Sequence, residues 1–100
     1  PYVNQVRRMR AAVASVHRRL EDIARSEKFD VVDGVIVSHQ LPIWVTRLDA
    51  EDRSLVHDPR RRECALASST TLTFENGSLV DVGYIDIAED LQPAKGVAGA

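Results

Sequence analysis

From Val3 to Lys28 the chain contains no glycine and no proline, and apolar side chains recur at Tyr2, Val6, Met9, Val13, Val16, Leu20 and Ile23. Steps of four and three alternate without a break, a heptad seam of roughly three heptads. The spacing predicts one long helix over about residues 3–28. Arg10 and Arg19 flank the seam and keep it narrow, whereas a helix lying on its own sheet shows about three apolar positions in seven. Two uses of the seam follow. In one, the whole helix packs across a face of the domain's own sheet. In the other, Leu20, Ile23 and Phe29 dock on the sheet while Val6, Met9, Val13 and Val16 contact a second copy or a partner helix. A helix of about 26 residues is about 39 Å long, and a six-residue strand spans only about 20 Å. An overhang of a turn or more favours the second use.

After Asp30 the periodicity becomes strand-like. Residues 31–38 (VVDGVIVS) are rich in β-branched side chains, with a bulge or turn signal at Asp33-Gly34. Pro42 breaks the chain, and residues 43–48 (IWVTRL) predict a second strand, in which Trp44 has the opposite parity to Ile43 and Val45. Residues 54–57 predict a short third strand that Asp58-Pro59 stops. Two longer strands, 64–74 and 79–87, flank Asn76-Gly77, the clearest turn signal in the sequence. A turn with a glycine bulge sets Leu72 opposite Val80, with Phe74, Val82 and Tyr84 on the same side, and so makes one apolar face.

These elements predict an α+β fold: one long N-terminal helix packed on a four- to five-stranded antiparallel sheet. The expected core is Leu20, Ile23, Phe29, Val35, Val37, Ile43, Val45, Leu72, Phe74, Val80 and Val82. At 100 residues the chain has room for a single domain, assigned to 1–90 with the sheet at about 31–87, and residues 91–100 read as a flexible tail.

Charge is unevenly placed. The formal net charge is −2, yet residues 1–28 carry seven basic side chains against three acidic ones, and the remainder six against twelve. Such a dipolar chain can attract its own copies or an acidic surface. Arg60, Arg61 and Arg62 form the other candidate anion site, since guanidinium forks suit phosphate and carboxylate. Binding of nucleic acid wants a denser basic face interleaved with aromatic side chains. Only Tyr2 accompanies the arginines of the helix, which argues against it.

No catalytic constellation stands out. Ser38-His39 and His57-Asp58 offer the residue types of a hydrolytic triad, but neither pair lies in a nucleophile elbow. Cys64 follows three arginines and a glutamate, where cations favour the thiolate, although a lone cysteine at a strand start more often packs as a small apolar group. His17, His39 and His57 fall on separate elements, and the acidic loop Asp49, Glu51, Asp52 lacks the glycine and closing glutamate of a calcium loop. No phosphate-binding glycine motif is present. No catalytic, cofactor-binding or metal-ligating residue is therefore assigned, and no cofactor is expected. No apolar run approaches the roughly 18 residues of a membrane span, and a cytoplasmic location is favoured. The chain does not open on methionine, which allows attachment to a larger protein.

The function these observations imply is a non-catalytic interaction or assembly domain, self-associating through the N-terminal helix. The alternatives are a small-molecule or enzymatic pocket formed by a sheet curled around the helix, and anion or nucleic-acid binding through the basic helix.

Overall fold

A computed structural model describes residues 1–87. The tail expected at 91–100 lies outside them. The chain is α+β, in the order α1 (Tyr2–Glu27), α2 (Gln40–Ala50), a short 3-10 turn (Pro59–Arg61), β1 (Ser68–Glu75) and β2 (Ser78–Asp86). The sheet has two antiparallel strands, β1 and β2, and a second helix stands where strands were expected. This overturns the four- to five-stranded sheet. Among the described residues, no helix is long and apolar enough to cross a membrane.

Helix α1 forms where the unbroken seam predicts it. It ends at Lys28, which turns into the left-handed region (φ 57°, ψ 41°). The Phe29 N–H then closes back on the Ala24 carbonyl at 3.0 Å, the 6→1 bond that terminates many helices.

Residues 43–48 are helical because their apolar side chains satisfy a helical face better than a pleated one. Leu41, Trp44, Val45 and Leu48 are spaced three, one and three apart, and Trp44, Val45 and Leu48 are buried together. Strand parity would have separated Trp44 from Val45. Pro42 lies in the first turn of α2, where the N–H it lacks would have had no partner inside the helix. Its carbonyl accepts from Thr46 Oγ1 at 2.7 Å, which takes up the one β-branched hydroxyl of the helix.

The third strand expected at 54–57 is irregular chain. The strand expected from Cys64 begins only at Ser68. The hairpin itself forms around a two-residue turn, with Asn76 at φ 51° and Gly77 at φ 80°. Glu75 pairs with Ser78 and Phe74 with Leu79, and a bulge then brings Thr73 opposite Asp81 and Leu72 opposite Val82. The bulge thus lies within β2 near Val80, and not in the turn. Leu72 faces Val82 in place of the expected Val80. Alternate residues of β1, from Ser68 to Phe74, form its more buried face.

The core is small and lies between α1 and α2. Its buried side chains are Val6, Trp44, Val45 and Leu48. Of the expected core only Val45 is fully enclosed, while Ile23, Phe29, Val35, Val37 and Val80 are exposed. The reason is the missing sheet: with two strands in place of four or five, no layer covers the inward faces those residues were assigned.

Candidate interaction surface

The seam of α1 faces the chain's own elements. Val6 is 6% exposed. Further along, Arg10 reaches α2, its Nε donating to Asp49 Oδ2 at 2.7 Å. That carboxylate holds the Arg10 guanidinium above its ordinary pKa, first by hydrogen bonding and then by charge. Val16 and Leu20 touch the chain at Gly34. Rings close the two ends: Tyr2 stacks on His57 at 4.9 Å, and His17 on Phe74 at 4.5 Å. Of the four residues assigned to a helix contact, Val6 and Val16 are engaged within the chain, and Met9 and Val13 remain half-buried.

The three arginines do not converge. Arg60 forks onto Asp58, its Nε donating to Oδ1 at 3.1 Å and its Nη2 to Oδ2 at 3.0 Å. This pairing holds the Asp58 carboxyl below its ordinary value. Arg62 turns the other way and donates from Nε to His57 Nε2 at 2.8 Å, while His57 Nδ1 lies 2.9 Å from the Leu55 carbonyl. Arg61 is exposed at the rim of a cleft of about 440 Å³ between α2 and the following loop. Trp44, Leu48, Arg53 and His57 line that cleft, which opens widely to solvent. It lies beside α2, and no residue that lines it comes from the hairpin.

Arg47 joins the helices to the hairpin. Its guanidinium carbon stands 5.4 Å from the Trp44 ring centre and 5.2 Å from that of Tyr84. Its Nη1 donates to Glu63, and its Nε lies 3.3 Å from Glu51 Oε1 without the alignment of a hydrogen bond. Tyr84 in turn accepts the Ala65 N–H at 3.0 Å. The hydroxyl ties β2 to the loop before β1, and the cation ties it to α2.

The most unusual surface is the stretch between the helices. Residues 31–38, expected as the first strand of the sheet, are irregular chain, and among the described residues their backbone makes no backbone hydrogen bond. Val32, Gly34, Ile36 and Ser38 alternate with Val31, Asp33, Val35 and Val37, as on the two sides of a strand. The first set includes the contact of Gly34 with α1 and the two half-buried positions Val32 and Ser38. The second set is bare: Val31 is 79%, Val35 86% and Val37 92% exposed. The β-branched run that suggested a strand is thus left as largely exposed chain between α1 and α2.

No family model matches the chain, and no solved structure matches it. It is similar to two uncharacterized proteins of Mycobacterium tuberculosis, one from strain ATCC 25618 / H37Rv and one from strain CDC 1551 / Oshkosh. Identity to each is 45% over 84 residues, which is 84% of this chain and 37% of the relative. The chain therefore spans a little over a third of the length of the curated relatives it matches.

Proposed function

We propose that this chain is an interaction and assembly unit, one that works joined to further polypeptide. The observation that carries the reading is the contrast, among the described residues, between four buried apolar side chains and thirteen large apolar side chains left exposed. An exposed valine forfeits about 1.5–3 kcal/mol that burial would return. Val35, Ile36 and Val37 are consecutive among them, and contiguous apolar surface marks interaction sites on folded proteins. Support for contact along α1 rests on Met9 and Val13, because Val6 and Val16 are already engaged. The heavier support falls on residues 31–37.

The test is the behaviour of the isolated chain. At micromolar concentration it should bind a hydrophobic dye and gain mass with concentration in sedimentation. Val35→Asp together with Val37→Asp should suppress both effects and leave the far-ultraviolet dichroism unchanged, because these side chains are almost wholly exposed in the chain itself. A wild-type chain that stays monomeric and binds no dye would overturn the reading.

A further inference from the structure

We propose that the cleft beside α2 binds a small monocarboxylate that carries an apolar body. The proposal stands apart from the assembly reading and uses none of residues 31–37. The cleft, at about 440 Å³, falls within the range of about 300–1,000 Å³ common to small-molecule sites. Part of its apolar lining is fixed, because Trp44 and Leu48 belong to the buried core of α2. Val56, which also lines it, is 82% exposed and gives a ligand's apolar body something to cover.

Charge selects the ligand. Three side chains that line the cleft carry charge: Arg53, Asp58 and Arg61. Asp58 is already paired, since Arg60 reaches Oδ1 at 3.1 Å and Oδ2 at 3.0 Å. Arg53 is shared: its Nη1 lies 3.0 Å from Glu51 Oε1, and its guanidinium carbon stands 5.4 Å from the Trp44 ring centre. Of the three, only Arg61 is uncommitted. Its side chain is exposed and has no hydrogen bond or ion pair among the described residues. A guanidinium fork takes a carboxylate through two parallel hydrogen bonds. One free fork, with the Asp58 carboxylate lining the same cleft, suits a single negative charge better than the doubled charge of a phosphate monoester.

The remaining polar groups fit an acceptor as ligand. His57 offers none of its own ring atoms. Arg62 Nε can only donate, so His57 Nε2 accepts from it at 2.8 Å, and Nδ1 directs its hydrogen to the Leu55 carbonyl at 2.9 Å. Ser54 is exposed on the cleft, and its hydroxyl has no partner among the described residues. Trp44 is 4% exposed, yet its indole N–H has no acceptor. A buried donor without a partner is uncommon in folded proteins. Both groups are donors, and a carboxylate brings only acceptors.

Titration of this chain with cyclohexylacetate tests the proposal, followed by the indole N–H resonance of Trp44, the single tryptophan. The resonance should move saturably, with dissociation in the millimolar range or below. The neutral 2-cyclohexylethanol should bind at least about 10-fold more weakly, the loss of one charge-assisted pair. Inorganic phosphate should also bind more weakly than the carboxylate. Arg61→Gln should weaken cyclohexylacetate as much as loss of the ligand's charge does, and Arg61→Lys should recover only part of the affinity. Neither variant should alter the far-ultraviolet dichroism, because the side chain holds nothing in the fold. No saturable shift, equal binding of the alcohol, or unchanged affinity in Arg61→Gln would overturn the proposal. Phosphate binding as tight as that of the carboxylate would overturn it too, and would assign the cleft to phosphate groups. None of these outcomes bears on whether the chain self-associates.

Discussion

Gly34 and Leu20 meet so closely that a methyl group on the glycine would stand 3.0 Å from Leu20 Cδ1. The neighbour is the far end of a flexible side chain, so a small intrusion can be absorbed by a shift of a few tenths of an ångström. Gly34→Ala should change stability by less than about 1 kcal/mol, because the entropy removed from the unfolded chain offsets the crowding. Gly34→Val adds two more carbons to a filled space and should cost about 1–3 kcal/mol. Urea unfolding of the two variants, compared with wild type, reads both.

Leu48 is the most consequential apolar residue to truncate, since the core has so few members. Leu48→Ala should cost about 2–5 kcal/mol, a large share of the stability of any domain this size. Trp44, the single tryptophan, is buried beside it in α2. Its emission maximum should lie to the blue in the wild type and shift to the red in the variant at the same temperature.

A glycine of a different kind closes the hairpin. Gly77 has a φ of 80° and no atom near the place its Cβ would take, so only backbone conformation is at stake. Gly77→Ala should cost about 1 kcal/mol through the left-handed region alone. Thermal unfolding followed by dichroism should show the loss, and a D-alanine placed there by synthesis should restore the midpoint.

Arg60 and Asp58 make a local, solvent-exposed pair, and the Arg60 side chain is the main cause of the lowered Asp58 pKa, ahead of its backbone N–H. The sign is that of a depressed carboxyl. Its contribution to stability is complete above the ordinary value of 3.8, and is lost as pH falls below that through the lower folded value. Arg60→Ala should raise the Asp58 pKa toward 3.8, as followed by carbon-detected titration of the carboxyl. An unchanged value would mean that the backbone N–H alone sets it.

Helix α1 was legible because nothing competes with a long, unbroken 3-4 spacing, and the hairpin because Asn76-Gly77 suits positive φ at both positions. Helix α2 was not. Ile43, Trp44, Val45 and Thr46 have strand propensity, and Pro42 reads as a break; the face shared by Leu41, Trp44, Val45 and Leu48 was the better signal. Tertiary contact with α1 outweighs local preference there. The surface at 31–37 was half legible. Its β-branched composition favours a strand, yet among the described residues no neighbouring strand pairs with it and it stays irregular. The heptad spacing that singled out Val6 and Val16 carries no sign of the burial of Val6 or of the approach of Gly34 to Val16, both of which depend on residues distant in sequence.

Exposed, irregular chain between two helices is also where a protease takes hold. Residues 31–37 hold no lysine or arginine, so trypsin would pass them by, whereas an enzyme that cleaves after valine would find four sites in a row of seven residues. One such cut would separate α1 from α2 and divide the core between two pieces. The link that joins the two helices therefore bounds the lifetime of the core they share, and a single exposed valine there can decide how long the fold lasts.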